Sequence, residues 1–173
     1  MNTWFTCKIK YQKIDEKGKA KNVSEAYLVD AVSFTEAERR IYEKMETMIQ
    51  GEFYVTGIAK ARLSDVFYHE DSDLWHRCKM TYTLEEEGSG SPPEGKEKKI
   101  TNYVLLTAPN VKEAYDRMYQ SLNNMLVDFR VTEIVESPIV EVFPYDSEEE
   151  DTKFQEAPDN YRPLSEVNED QAV

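Results

Sequence analysis

Apolar and polar positions alternate along two short runs that are near copies of each other. In the first, Phe5, Cys7, Ile9 and Tyr11 share one face, and Trp4, Thr6, Lys8 and Lys10 share the other. In the second, His76, Cys78, Met80 and Tyr82 match the first set, and Trp75, Arg77, Lys79 and Thr81 match the second. Trp, Cys, Lys and Tyr return at identical spacing, so the runs read as repeated strands. Further along, Phe53-Tyr54-Val55-Thr56-Gly57-Ile58 returns as Phe129-Arg130-Val131-Thr132-Glu133-Ile134, and Val66-Phe67 as Val142-Phe143.

Between these strands the period changes to that of a helix. Phe34, Ala37, Ile41, Met45 and Met48 form one apolar stripe, and Val111, Ala114, Met118, Leu122 and Met125 repeat its steps. Ser33 with Glu36, and Asn110 with Glu113, stand where capping residues belong. Gly51 follows the first stripe as a C-terminal glycine would. Asp15–Lys19 closes the first hairpin. Its counterpart from Glu85 to Gly95 is longer and rich in Gly, Ser, Pro and charge, which predicts a mobile loop.

The reading is an α+β protein, a tandem duplication of a ββαββ unit of about 70 residues. Antiparallel sheets would each carry one helix on one face, and the copies would pack as pseudo-twofold partners. Residues 1–69 form the first repeat and 70–145 the second. Residues 146–173 are read as a disordered acidic tail.

Charge sharpens this division. The net charge is -13. From Asp146 to Val173, ten acids stand against Lys153 and Arg162, giving -8 and leaving -5 for the rest. A body so near neutrality can carry a local basic face. The cysteines Cys7 and Cys78 have neither zinc nor redox spacing and read as buried core residues in a reducing cytoplasm. No signal peptide, transmembrane helix or membrane association is expected.

The face away from the cysteines places Trp beside cations twice. Trp4, Lys8, Lys10, Trp75, Arg77 and Lys79 belong to it, and Tyr54, Lys60, Arg62 and Arg130 extend it. Such a surface suits single-stranded DNA or RNA, because bases stack on rings and cations follow phosphates. The tail would only solubilise the chain, or regulate access as a nucleic-acid mimic, or recruit a protein partner. Tail-bearing single-stranded DNA-binding proteins of phages and bacteria offer a parallel, although their compact acidic-hydrophobic tip has no match in Asn168–Val173. The structural alternative is that the tryptophans pack against a neighbouring element and the lysines keep the sheet soluble. A further alternative is a protein-interaction adaptor or inhibitor using the same face. A homo-oligomer is left open.

No catalytic signature stands out. His69-Glu70-Asp71-Ser72-Asp73 holds potential metal ligands but reads as a solvated linker. Nothing matches a phosphate-cradling glycine loop, a nucleophile elbow or a metalloprotease helix. A non-enzyme without cofactors is the expectation.

Three segments carry a family resemblance: Met1-Asn2-Thr3-Trp4-Phe5, Tyr27-Leu28-Val29-Asp30-Ala31 and Ser33-Phe34-Thr35-Glu36-Ala37-Glu38. They resemble a family of uncharacterised proteins from gut anaerobic bacteria and their phages, classed as a domain of unknown function. The resemblance covers the body and not the tail. It implies a phage or mobile-element setting, where replication accessory proteins are common, and it brings no catalytic residues.

Overall fold

In the computed structural model, residues 3–86 and 96–145 are described. Strands β1 (Thr3–Ile14) and β2 (Ala20–Ala31) form a long antiparallel hairpin. Its turn is held by Asp15, whose Oδ1 accepts from the backbone N–H groups of Lys17 (2.9 Å) and Lys19 (2.8 Å). Gly18 takes φ +78°, a left-handed conformation that costs a glycine nothing. Helix α1 (Phe34–Met48) follows, then β3 (Phe53–Lys60) and the short β4 (Asp65–Phe67). The second copy repeats the order with β5 (Trp75–Glu86), β6 (Lys96–Thr107), α2 (Val111–Ser121), β7 (Phe129–Glu136) and β8 (Ile139–Phe143).

The helix starts are as the sequence predicts. Ser33 Oγ accepts from Glu36 N at 3.2 Å, and Asn110 Oδ1 accepts from Glu113 N at 2.9 Å. Glu36 reaches back to accept from Val32 N at 2.6 Å. At the other end α1 stops at Met48 with an extended cap at Ile49. Gly51, at φ +109°, therefore turns the chain toward β3 and does not cap the helix. Each helix is also tied to its hairpin by one arginine. Arg40 donates to the carbonyl of Asp30, and Arg117 donates to the carbonyl of Thr107 at 2.8 Å.

Two four-stranded sheets result, ordered β3-β1-β2-β8 and β4-β6-β5-β7. Three long strands of each are antiparallel, and one helix packs on one face of each. Both sheets carry the same bulge, between Lys8 and Ile9 opposite β3 and between Lys79 and Met80 opposite β7. Thr56 Oγ1 donates to the Lys8 carbonyl there, at 3.3 Å, and Thr132 Oγ1 to that of Lys79, at 3.5 Å.

The fourth strands depart from the expected self-contained, wholly antiparallel units. Each crosses to the other copy and lies parallel on its sheet: Leu28 pairs with Val142, and Leu105 with Val66. Phe143 accordingly joins Phe5, Ile9, Tyr27, Ile41 and Met45 in the first helix-side core, stacked on Tyr27 at 5.8 Å. Phe67 packs against the second core, beside Cys78, Val104 and Met118. The alternation of Val66-Phe67 and Val142-Phe143 fits either sheet equally, so the repeat alone does not assign them. A third cluster lies on the helix-free faces and joins the sheets. Leu28, Trp75 and Leu105 are buried there, with Trp4, Val66, Ile139 and Val142 packed against them.

The Glu87–Gly95 part of the long loop and the tail at 146–173, expected to be mobile and disordered, lie outside the described residues. Among the described residues no helix is long and apolar enough to cross a membrane.

Because each sheet is completed by the other copy, the two should unfold together. Phe143→Ala removes a buried ring and should cost about 3–5 kcal/mol. Urea unfolding followed by circular dichroism and by Trp fluorescence should still give one coincident transition. A first transition confined to one copy would contradict the exchange. The thiols give a second check. Cys7 and Cys78 are fully buried, and burial pushes each up to about 12. A raised thiol favours the protonated folded form, so its stabilising effect is complete below the ordinary value of 9.0 and fades as pH climbs from there toward 12. Folded protein at pH 8 should resist a thiol reagent that labels the urea-unfolded chain at once.

Candidate nucleic-acid interface

The helix-free face of the first sheet is closed at one end and open at the other. Trp75 is 5% exposed and Trp4 is half-buried, both in the cluster between the sheets. The expectation that they are free stacking platforms is therefore corrected: the opposite sheet already covers them. Lys60 also leaves the expected face. Its register partner is Phe5, and its Nζ lies 6.0 Å from the Phe34 ring, on the helix side. The bulge is the cause, because the extra residue at Thr56 flips the parity of every later position in β3.

The remaining predicted residues are scattered. Arg62 is exposed in the link between β3 and β4. Arg77 is exposed with its guanidinium 5.1 Å from the Tyr103 ring. Lys79 is half-buried between its register partners Tyr103 and Glu133. Arg130 is exposed opposite the buried Thr81.

Lys8, Lys10 and Tyr54 do come together. Lys10 is the direct register partner of Tyr54 on β3 and of Ser24 on β2, and Lys8 stands one step back opposite Gly57. All three predicted side chains are exposed, Tyr54 by 61%. The row borders a cavity of about 760 Å³ where the hairpin overruns the end of β3. Gln12, Asn22, Gln50 and Thr56 also line it. Gln12 and Asn22 are direct partners across β1 and β2. The cavity floor is steadied from the helix side: Tyr11 and Tyr27 both donate to Glu25, at 3.0 and 2.6 Å. Burial first, then the Glu25 carboxylate, raises both phenols, so they remain donors at neutral pH.

The first hairpin, residues 3–31, carries six lysines against Asp15, Glu16, Glu25 and Asp30, a net +2, with the excess toward its turn. Residues 3–22 hold Lys8, Lys10, Lys13, Lys17, Lys19 and Lys21 against Asp15 and Glu16, giving 6 - 2 = +4. Lys13 and Lys21 face each other across the ladder, a like-charge pairing that costs the fold some stability. Sequence reading missed Gln12, Asn22 and the hairpin lysines because it took strands singly. The lysine density of the first hairpin was the available signal.

Among the described residues, no cluster of three His, Cys, Asp or Glu side chains could hold a metal ion. His76 sits at the position of Phe5, is 2% exposed, and leaves Nδ1 without a hydrogen-bond partner. Phe5 packs edge-on against Phe34 at 4.9 Å, and the counterpart of Phe34 is the smaller Val111. There is thus no second ring to crowd a larger side chain at 76. His76→Phe should stabilise the protein by about 1–2 kcal/mol, since it removes an orphaned buried polar atom. The check is the urea midpoint at pH 7, and a lower midpoint would contradict the assignment.

A family model described as Domain of unknown function (DUF4494) matches residues 3–145, and the chain belongs to this family. No curated protein and no solved structure matches the chain.

Proposed function

We propose that this DUF4494 member is a non-enzymatic accessory protein that binds single-stranded DNA or RNA at the open end of its first sheet. The observation that carries the reading is the cross-strand pair Lys10–Tyr54, both exposed, on the wall of a cavity at the open end of a hairpin of net charge +2. A base stacks on the tyrosine ring while Lys8 and Lys10 neutralise phosphates. This moves the stacking role from the tryptophans, of which Trp75 is buried and Trp4 half-buried, to Tyr54. The phage or mobile-element setting and the cytoplasmic location are part of the proposal and rest on the family resemblance and on composition.

The net charge of -13 favours a second reading, a protein-interaction adaptor or inhibitor using the same end of the sheet. Non-specific nucleic-acid affinity comes from neutralised phosphates, and an acidic chain works against it.

Fluorescence anisotropy with a labelled oligonucleotide separates the two. Binding should weaken with salt, and Lys8→Ala or Lys10→Ala should each lower the salt slope by about 1. Tyr54→Ala should cost about 1–3 kcal/mol at fixed salt. Deleting 146–173 removes a charge of -8 and should tighten binding by reducing repulsion of phosphates. No binding of DNA or RNA by the tail-less protein at low salt would leave the adaptor reading standing.

A further inference from the structure

We infer that the chain pairs with a second copy of itself through the outer edge of β7, an inference independent of the nucleic-acid reading above. Among the described residues, β7 ends its sheet with no strand on its outer side. Tyr119 marks that side, because its hydroxyl accepts from the Val131 N–H at 3.5 Å. Ser137 N donates inward instead, to the Trp75 carbonyl at 2.7 Å. Backbone groups alternate along a strand, so Ile134 and Glu136 also turn theirs outward. The side chains of Val131 and Ile134 lie on the helix side, against the second core.

The edge is complementary to itself. A twofold axis through its middle sets two β7 strands antiparallel, with Val131 opposite the partner's Ile134 and Ile134 opposite the partner's Val131. The outward backbone groups then meet. The bulge that skips Thr132 falls on the partner's bulge, so neither strand has to shift register. On the helix-free face Arg130 and Glu133 are both exposed. In this pairing Arg130 becomes the diagonal neighbour of the partner's Glu133, within reach of long side chains. The symmetry makes that ion pair twice.

The helices fit the same arrangement. Helix α2 lies over β5 and β7. With strands about 4.8 Å apart, a helix midway between those two stands about 5 Å from the twofold axis, so the two α2 helices run about 10 Å apart. Packed helices stand about 8–10 Å apart. The gap is lined by Tyr115 and Tyr119, which are 45% and 37% exposed, and Tyr119 is stacked on Phe129 at 4.9 Å. The first copy lacks these features. Its helix α1 reaches inward as far as β2. Glu38 stands at the position of Tyr115, and Tyr54 and Gly57 stand at those of Arg130 and Glu133. One edge per chain carries the charges, so the assembly closes at two copies.

Sedimentation velocity on the full chain tests this, over a micromolar concentration series at physiological ionic strength. The mass should rise from one chain to two and stop there. Arg130→Glu should weaken the dimer roughly tenfold by setting like charges across the axis, and Glu133→Arg should do the same. An equimolar mixture of the two variants should recover the dimer, because one chain then supplies both carboxylates and the other both guanidiniums. Tyr115→Glu, which places the first copy's residue at an exposed position, should also weaken association. The urea midpoint establishes that each variant is folded. Should Glu133→Arg unfold beside Lys79, Arg130→Glu and Tyr115→Glu decide the matter by themselves. A single chain at every concentration overturns the inference, and so does growth beyond two chains. A dimer that Arg130→Glu leaves intact overturns it as well, as does a mixture of folded variants that stays monomeric.

Discussion

Phe67 leaves the first copy to pack against the second copy's helix-side core, and Phe143 makes the reverse crossing. Each crossing also places a valine, Val66 or Val142, against the cluster that joins the two sheets. A short fourth strand thus serves two cores at once, one on each face of the sheet it joins. The magnitude shows how much depends on it. Truncating one buried aromatic costs about 3–5 kcal/mol, against a total stability of about 5–15 kcal/mol for a typical protein. Neither copy has a complete sheet without the other, so the duplication builds one interleaved body and not two small domains on a linker.

The crossings also decide which surface is left for a ligand. They bring the helix-free faces together at the end that carries Trp4 and Trp75, which buries the aromatic surface most suited to stacking. The same geometry leaves the far end of the first hairpin uncovered, where Lys8, Lys10 and Tyr54 stand. The two ends of one face thus have opposite fates. The bulge refines the division, because it turns Lys60 to the helix side while Tyr54 remains beside Lys10.

Local features were legible in the sequence for physical reasons. The helical stripes, the caps at Ser33 and Asn110, and the cysteine faces depend on neighbours within a few residues. The duplication was legible because two aromatic-cysteine strands returned in register. Strand exchange was not, since a two-residue pattern such as Val142-Phe143 alternates the same way in either sheet. The tryptophans were assigned to an open face for a related reason. Alternation tells which side of a sheet a residue is on, but not whether another sheet covers that side. Of the candidate site, only Lys8, Lys10 and Tyr54 were anticipated as neighbours of an open surface. Gln12 and Asn22 became visible only through pairing across the hairpin.

The remaining tension is electrostatic, between a chain of net charge -13 and a site proposed to hold phosphates. It resolves on the length scale of screening. At physiological ionic strength the Debye length is about 8 Å, so exposed charges several strand spacings away contribute little at the site. What a phosphate meets at the first hairpin is then the local balance, +2 over residues 3–31, with Glu52 beside Tyr54 opposing it. Lowering the salt lengthens the reach of the distant acids, so affinity should rise less steeply on dilution than the lysine count alone implies.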